Sequence, residues 1–258
     1  MGFIKVKGHN LNYRFIYDEY LNPDNPFIIF LHEGLGSIPQ WRKFPNDICE
    51  NLKLPGFLYE RYGYGQSDIL KEKRNMDYLV YEGIEVFPEL IEKLNITNKL
   101  ILIGHSDGAS IALAYASKYS NKICCLIAEA PHVFIEEISV QSIKNAIKMF
   151  EAGVLKKFLK KYHDNKTESM FYGWALTWTN KDYTDWNMEH VLPDIKCPVY
   201  VIQGENDEHG TERQVNLIVS KVSGPAKGLM IPDCAHIPHF QQKKLVMNEI
   251  MSFIKEYK

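Results

Sequence analysis

Ser106, Asp207 and His236 are of the types, and in the settings, that nucleophilic catalysis requires. Ser106 is the centre of GHSDG (104–108), Asp207 lies in ENDEHG (205–210) and His236 in CAHIPH (234–239). A serine hydroxyl is a weak nucleophile at neutral pH and needs a base, and the base needs an acid to orient it. In the expected arrangement His236 takes the Ser106 proton at Nε2 while Asp207 accepts from its Nδ1–H. Serine attack on a carbonyl also creates an oxyanion that must be stabilised by hydrogen-bond donors. The glycine-rich FLHEGLGS (30–37) and the residue after the serine offer the backbone N–H groups of Gly34 and Asp107.

These assignments have rivals. Glu205 and Glu208 flank Asp207, and Glu129 closes an earlier apolar run, so another acid is available. His209 lies in the acid loop. His239, three residues after His236, reads as a pocket residue or as a hydrogen-bonded histidine at a helix start. His105 and His132 read as structural or pocket-lining. Glu33 sets a carboxylate beside the expected oxyanion donors, where a bare negative charge opposes a developing oxyanion. Arg61 or Arg42 is its expected partner; the sharper reading has Glu33 facing the substrate.

The elements that must position these residues follow from hydrophobic periodicity. FIKVKG and LNYRFIY read as a hairpin. Strands are expected at 26–32, 56–60, 99–104, 122–130, 197–204 and 227–232, with helices at 40–52, 76–94, 109–119, near 211–221 and at 238–257. Short β runs alternating with amphipathic helices predict a parallel sheet covered on both faces. At ordinary Gly and Ser frequencies of about 7%, a chain of this length shows G-x-S-x-G roughly one time in ten by chance. Here LILI precedes the motif and ASIALAYAS follows it, which is the strand–turn–helix setting the motif needs. Asp207 and His236 each fall just past a predicted strand, where the loops at the top edge of the sheet belong.

The alternation breaks over 132–192, where helical spacing combines with Phe158, Tyr162, Phe171, Tyr172, Trp174, Trp178 and Trp186. This stretch is expected to be a helical cap over the crevice at the sheet's C-terminal edge, with 1–131 and 193–258 forming the core domain. Trp174 and Trp178, together with Glu33, His105 and His239, are the expected substrate-binding residues.

Composition narrows the function. The 258 residues are 45% hydrophobic and 24% charged with a formal net charge of −2, so neither a nucleic-acid footprint nor a polyacidic tail is present. No apolar stretch approaches the roughly 20 residues of a membrane span. The opening MGFIKVKGHNLNYRF has no long apolar run, so a cytoplasmic location is expected. Five cysteines, at 49, 124, 125, 197 and 234, lie mostly in apolar runs without a CxxC pair, and are expected to be buried reduced thiols. The expected partner is a small molecule, with no metal or organic cofactor, and the protein is expected to be a monomer or homodimer.

Taken together, these segments resemble the α/β-hydrolase superfamily over nearly the whole chain, with greatest similarity to small capped esterase-like serine hydrolases. LHEGLGS resembles the oxyanion segment, ERYGYGQSD (60–68) the glycine-rich loop after the fourth strand and GHSDG the nucleophile elbow. GENDEHG and CAHIPH resemble the acid and histidine loops. The resemblance implies an eight-stranded, mostly parallel sheet with helices on both faces and a helical cap after strand six. It implies hydrolysis of an ester, thioester or lactone through an acyl-enzyme. Carbon–carbon bond hydrolysis by the same three residues, and a non-catalytic ligand-binding role, are the alternatives. The chain departs from the family at His32-Glu33, where the usual segment has His-Gly. It also lacks the glycine run of proline-iminopeptidase-like relatives, although acidic Glu33 and Glu129 leave a peptidase open.

Overall fold

The apolar runs are strands of a single sheet. In the computed structural model, which describes residues 1–258, these are β1 (Gly2–Val6), β2 (His9–Ile16), β3 (Phe27–Leu31), β4 (Gly56–Tyr59), β5 (Leu100–His105), β6 (Ile123–Glu129), β7 (Val199–Gly204) and β8 (Ala226–Ile231). Their spatial order is β1-β2-β4-β3-β5-β6-β7-β8. The first two pairings, β1–β2 and β2–β4, are antiparallel and the rest are parallel. Parallel neighbours require crossover connections, which the intervening helices supply.

The helices are α1 (Phe44–Leu52), α2 (Tyr78–Tyr81), α3 (Phe87–Lys93), α4 (Asp107–Tyr119), α5 (Glu137–Glu151), α6 (Val154–His163), α7 (Thr167–Trp178), α8 (Glu212–Lys221), α9 (Pro238–Gln241) and α10 (Lys243–Tyr257). Successive strand side chains point to opposite faces. Ile28, Phe30, Ile101, Ile103 and Ile202 accordingly pack with α1 and α10 residues such as Ile48 and Ile250. Ile29, Leu100, Leu102, Leu126 and Val201 pack on the other face with Leu90 of α3, Leu113 of α4 and Val215 of α8. Each such fully buried aliphatic side chain contributes about 1.5–3 kcal/mol. The rigid result holds the C-terminal ends of β3, β5, β6, β7 and β8 side by side.

Three helical stretches depart from the periodicity. Over 40–52 a 3-10 turn, Ile38–Trp41, precedes α1. The stretch 76–94 carries a π turn, Glu82–Val86, between α2 and α3. Pro88 has no N–H to give to the carbonyl four residues back, and a wider turn accommodates the missing bond. The C-terminal helix breaks at Gln242. Just before the break, Gln241 Oε1 accepts from the N–H groups of Ala235 and Ile237 and so ties the short α9 to the His236 loop.

Between β6 and β7 the chain inserts α5, α6 and α7. It leaves and returns along an antiparallel bridge between Phe134 and Asn187. Inside the insertion Phe150 and Phe171 stack with ring centres 3.8 Å apart. All five cysteines are free thiols, four buried and Cys124 half-buried. No helix is long and apolar enough to cross a membrane.

Candidate active site

β5 ends at His105 and α4 begins at Asp107, so a single residue, Ser106, turns the chain. Its backbone lies at φ 52°, ψ −120°, a region costing a non-glycine residue about 1–3 kcal/mol. Hydrogen bonds hold it there. Its N–H donates to the Glu129 carbonyl at 2.8 Å, and its carbonyl accepts from the N–H groups of Ala109 and Ser110. The turn is tight enough that side chains are excluded on both sides. A Cβ on Gly108 would strike the Leu31 carbonyl, and one on Gly104 would strike the backbone of Gly108 and Ala109.

Ser106 Oγ lies 3.0 Å from His236 Nε2, and His236 Nδ1 lies 2.8 Å from Asp207 Oδ1. The Asp207 carboxylate also accepts from the His209 N–H at 2.8 Å and from Gln203 Nε2 at 3.2 Å. Burial raises the Asp207 pKa, against the pull of the His209 N–H. Burial, with His209 and His105 close by, holds the His236 imidazole well below the usual histidine range, so it is neutral at neutral pH. A neutral imidazole whose Nδ1–H is fixed on a carboxylate presents a free lone pair to the serine hydroxyl.

Neither the Gly34 nor the Asp107 backbone N–H meets an acceptor within the chain. The two segments that carry them are joined by Arg61, whose guanidinium is buried. It donates to the carbonyls of His32 and Glu33 and stands 3.5 Å from the Asp107 carboxylate. The same carboxylate accepts from the Tyr78 hydroxyl, which accepts in turn from Trp178 Nε1–H at 3.0 Å. His32 stays neutral, pushed down by burial and by Arg61; its Nδ1–H donates to the Glu33 carbonyl and its Nε2 accepts from the Arg61 N–H. Gly34 is required here, because a Cβ would enter the Trp174 indole.

The structure corrects the expected partner of Glu33. Arg61 reaches only the Glu33 backbone carbonyl, and Arg42 stacks on Phe240. The Glu33 carboxylate instead faces His105 Nδ1 at 3.8 Å. Burial would raise the Glu33 carboxyl, but His105 beside it outweighs that and holds it at about 2. His105 is shifted up in turn, since Glu33 outweighs the penalty of burial, and its Nε2–H donates to the His236 carbonyl at 2.7 Å. Glu129 is likewise not beside His236. It lies 2.9 Å from His239 Nδ1, and His239, packed against Trp41 and Phe44, lines a smaller cavity on the far side of Glu33 rather than the one at the serine.

Ser106 and His236 open into a cavity of about 210 Å³. Glu33, Gly34, His105, Asp107, Trp174 and Trp178 line it, and the sequence-predicted His239 lines a smaller adjoining cavity instead. Ile143, Leu155 and Leu159, not singled out from sequence, add to its apolar wall beside Phe158 of the aromatic cluster, and His132, expected to be structural or pocket-lining, and His209 of the acid loop approach His236. The i, i+3, i+4 stripe Leu155-Phe158-Leu159 on α6 was the legible signal for the two leucines. His163 left no such signal. It is buried, its Nδ1 accepts from the Gly65 N–H and its Nε2–H donates to the Leu35 carbonyl, so it ties α6 to both glycine-rich loops. Burial drives its pKa down to about 4, which keeps it neutral for both bonds. No group of three or more His, Cys, Asp or Glu is placed to hold a metal ion.

Residues 26–180 match a family described as the alpha/beta hydrolase fold. A proline iminopeptidase of Saccharolobus solfataricus is 23% identical over 293 residues, spanning 99% of this chain and 92% of that protein. Among solved structures, the enol-lactonase of Burkholderia xenovorans LB400 superposes with a TM-score of 0.77 at 16% identity, covering 98% of this chain and all of that one. An esterase of Exiguobacterium antarcticum gives 0.77 at 17% identity, covering 99% and 100%. At these identities the structural likeness is one of fold. The family match spans more than half the sequence, and the chain belongs to the α/β-hydrolase fold family.

Proposed function

We propose that this member of the α/β-hydrolase family is a serine hydrolase that cleaves a carboxylic ester, thioester or lactone through an acyl-enzyme on Ser106. The observation that carries this reading is the continuous line from Asp207 through His236 to Ser106 Oγ, with the serine held in a strained turn. As Ser106 Oγ attacks the carbonyl carbon, its proton passes to His236 Nε2, and Asp207 stabilises the imidazolium. The oxyanion takes the free N–H groups of Gly34 and Asp107. His236 then protonates the departing alcohol, thiol or lactone oxygen. In the second half it takes a proton from water, the hydroxide attacks the acyl carbon, and the acid leaves with Ser106 Oγ reprotonated.

The cavity favours a small substrate with an apolar or aromatic part. Its volume of about 210 Å³ lies below the roughly 300–1,000 Å³ of pockets for drug-sized ligands. Residues 132–192 act in this reading as a cap that excludes water, their helices supplying Ile143, Leu159, Trp174 and Trp178 to the wall. A peptidase that captures a free amine is less well supported, because Glu33 and Glu129 each already face a histidine.

The test is hydrolysis of a p-nitrophenyl ester series from acetate to long chains and benzoate, with Ser106→Ala as the control. Turnover of short or aryl esters that disappears in Ser106→Ala is the expected result. Turnover that survives the substitution would remove Ser106 from the chemistry.

A further inference from the structure

A second cavity of about 130 Å³ adjoins the one at Ser106 across Glu33, and Glu33, Gln40, His105, Phe158 and Ile237 line both, so we treat it as a second lobe of the site. Arg42 lines only the second lobe. Arg42 is exposed, and three of its properties bear on this lobe. Its guanidinium makes no ion pair and no hydrogen bond within the chain, and lies 4.8 Å over the Phe240 ring. The one acid that lines the lobe, Glu33, faces His105 at 3.8 Å, so Arg42 has no carboxylate partner there. The Arg42 backbone lies at φ 53°, ψ −126°, close to the φ 52°, ψ −120° of Ser106 itself. Strain of this kind in a non-glycine residue persists where the surroundings enforce it, and it collects at functional sites.

An aromatic face beneath a guanidinium fixes its plane and leaves its N–H edge open, and that edge matches a carboxylate with two parallel hydrogen bonds. We infer that the second lobe is an anion subsite, and that the substrate is an ester or lactone bearing a separate carboxylate that Arg42 binds. This rests on Ser106 as the nucleophile and gives its substrate a chemical class. The apolar lobe takes the uncharged part, the scissile carbonyl sits at Ser106, and the carboxylate extends past Glu33 to Arg42.

The experiment compares p-nitrophenyl hydrogen glutarate with p-nitrophenyl methyl glutarate, which differ in charge at the far end of the same chain. The wild-type protein should favour the charged ester by at least about tenfold in kcat/KM, mostly through KM, as one charge-assisted pair would give. The ratio should fall to about one in Arg42→Gln, recover in part in Arg42→Lys, and shrink with added salt. A wild-type ratio near one, or a preference unchanged in Arg42→Gln, would overturn the inference. Calorimetric binding of monomethyl glutarate to the Ser106→Ala protein, against dimethyl glutarate, reads the subsite without turnover. Arg42-dependent binding with no ester hydrolysis would sink the serine-hydrolase reading and keep the subsite. Hydrolysis with no binding preference would do the reverse.

Discussion

Two carboxylate–histidine pairs stand at neighbouring strand ends of this molecule. Asp207 holds His236 Nδ1 at 2.8 Å, and Glu129 holds His239 Nδ1 at 2.9 Å. Their first contacts are nearly the same; what lies beyond the imidazole differs. His236 has a serine hydroxyl at Nε2 and its side chain is 12% exposed to the cavity, whereas that of His239 is 3% exposed and lies against Trp41 and Phe44. An acid–histidine pair therefore does not define a base. The hydroxyl at the far nitrogen and an opening for substrate do, and the second pair serves to fix the α9 turn, where the His239 N–H also donates to Glu129.

The sharpest way to break the comparison is to remove each histidine. His236→Ala should lower kcat by about 10⁴-fold or more, as loss of a member of such a unit does. His239→Gln should cost less than about tenfold in kcat, as expected of a group that does not touch the reacting atoms; equal losses would erase the distinction. The acids come next. Asp207→Asn should cost about 10⁴ in kcat through loss of the correct tautomer. Glu129→Gln should spare most of the rate but lower stability by about 1–3 kcal/mol in a denaturant titration, because it weakens a buried charge-assisted hydrogen bond. A fall of less than about tenfold in Asp207→Asn, far short of that loss, would return Glu129 to the catalytic role.

A pH profile sharpens the contrast further. His236 acts as a base only when neutral, and burial holds its folded-state pKa well below 6.5. As pH falls through 6.5 the rate on p-nitrophenyl acetate should hold, dropping only under more acidic conditions; a half-maximum at or above 6.5 would contradict the buried geometry. The smallest effect is on stability at Arg42. Glycine adopts its φ of 53° without a Cβ penalty, so Arg42→Gly should raise stability by about 1 kcal/mol in thermal melts.

The sheet was legible in the sequence because each buried strand is a short apolar run bounded by polar residues. Ser106 was legible because it directly follows such a run, and Asp207 and His236 because each falls within a few residues of a strand end. What escaped were contacts between residues far apart in the chain. Nothing near Glu33 in sequence announces His105, 72 positions away, as its partner rather than Arg61. The pairing of Glu129 with His239 joins the end of a strand to a helix turn 110 residues later. The π turn at Glu82–Val86 hides inside a correct helical period, since Pro88 alters the hydrogen bonding and not the apolar spacing. Tyr78, which braces Asp107 from outside the motif, reads from sequence as one more aromatic in a helix.

All four tryptophans of the chain lie around this one region. Trp41 packs on His239, Trp174 closes on Gly34, Trp178 donates to Tyr78 and Trp186 lies 5.9 Å from Trp178. No indole sits in the outlying hairpin or in α10. The ultraviolet emission of this protein is therefore a local optical reporter. A ligand entering the crevice meets Trp174 and Trp178, so its arrival should register as a change in tryptophan emission, excited selectively over the fifteen tyrosines, without any dye or label.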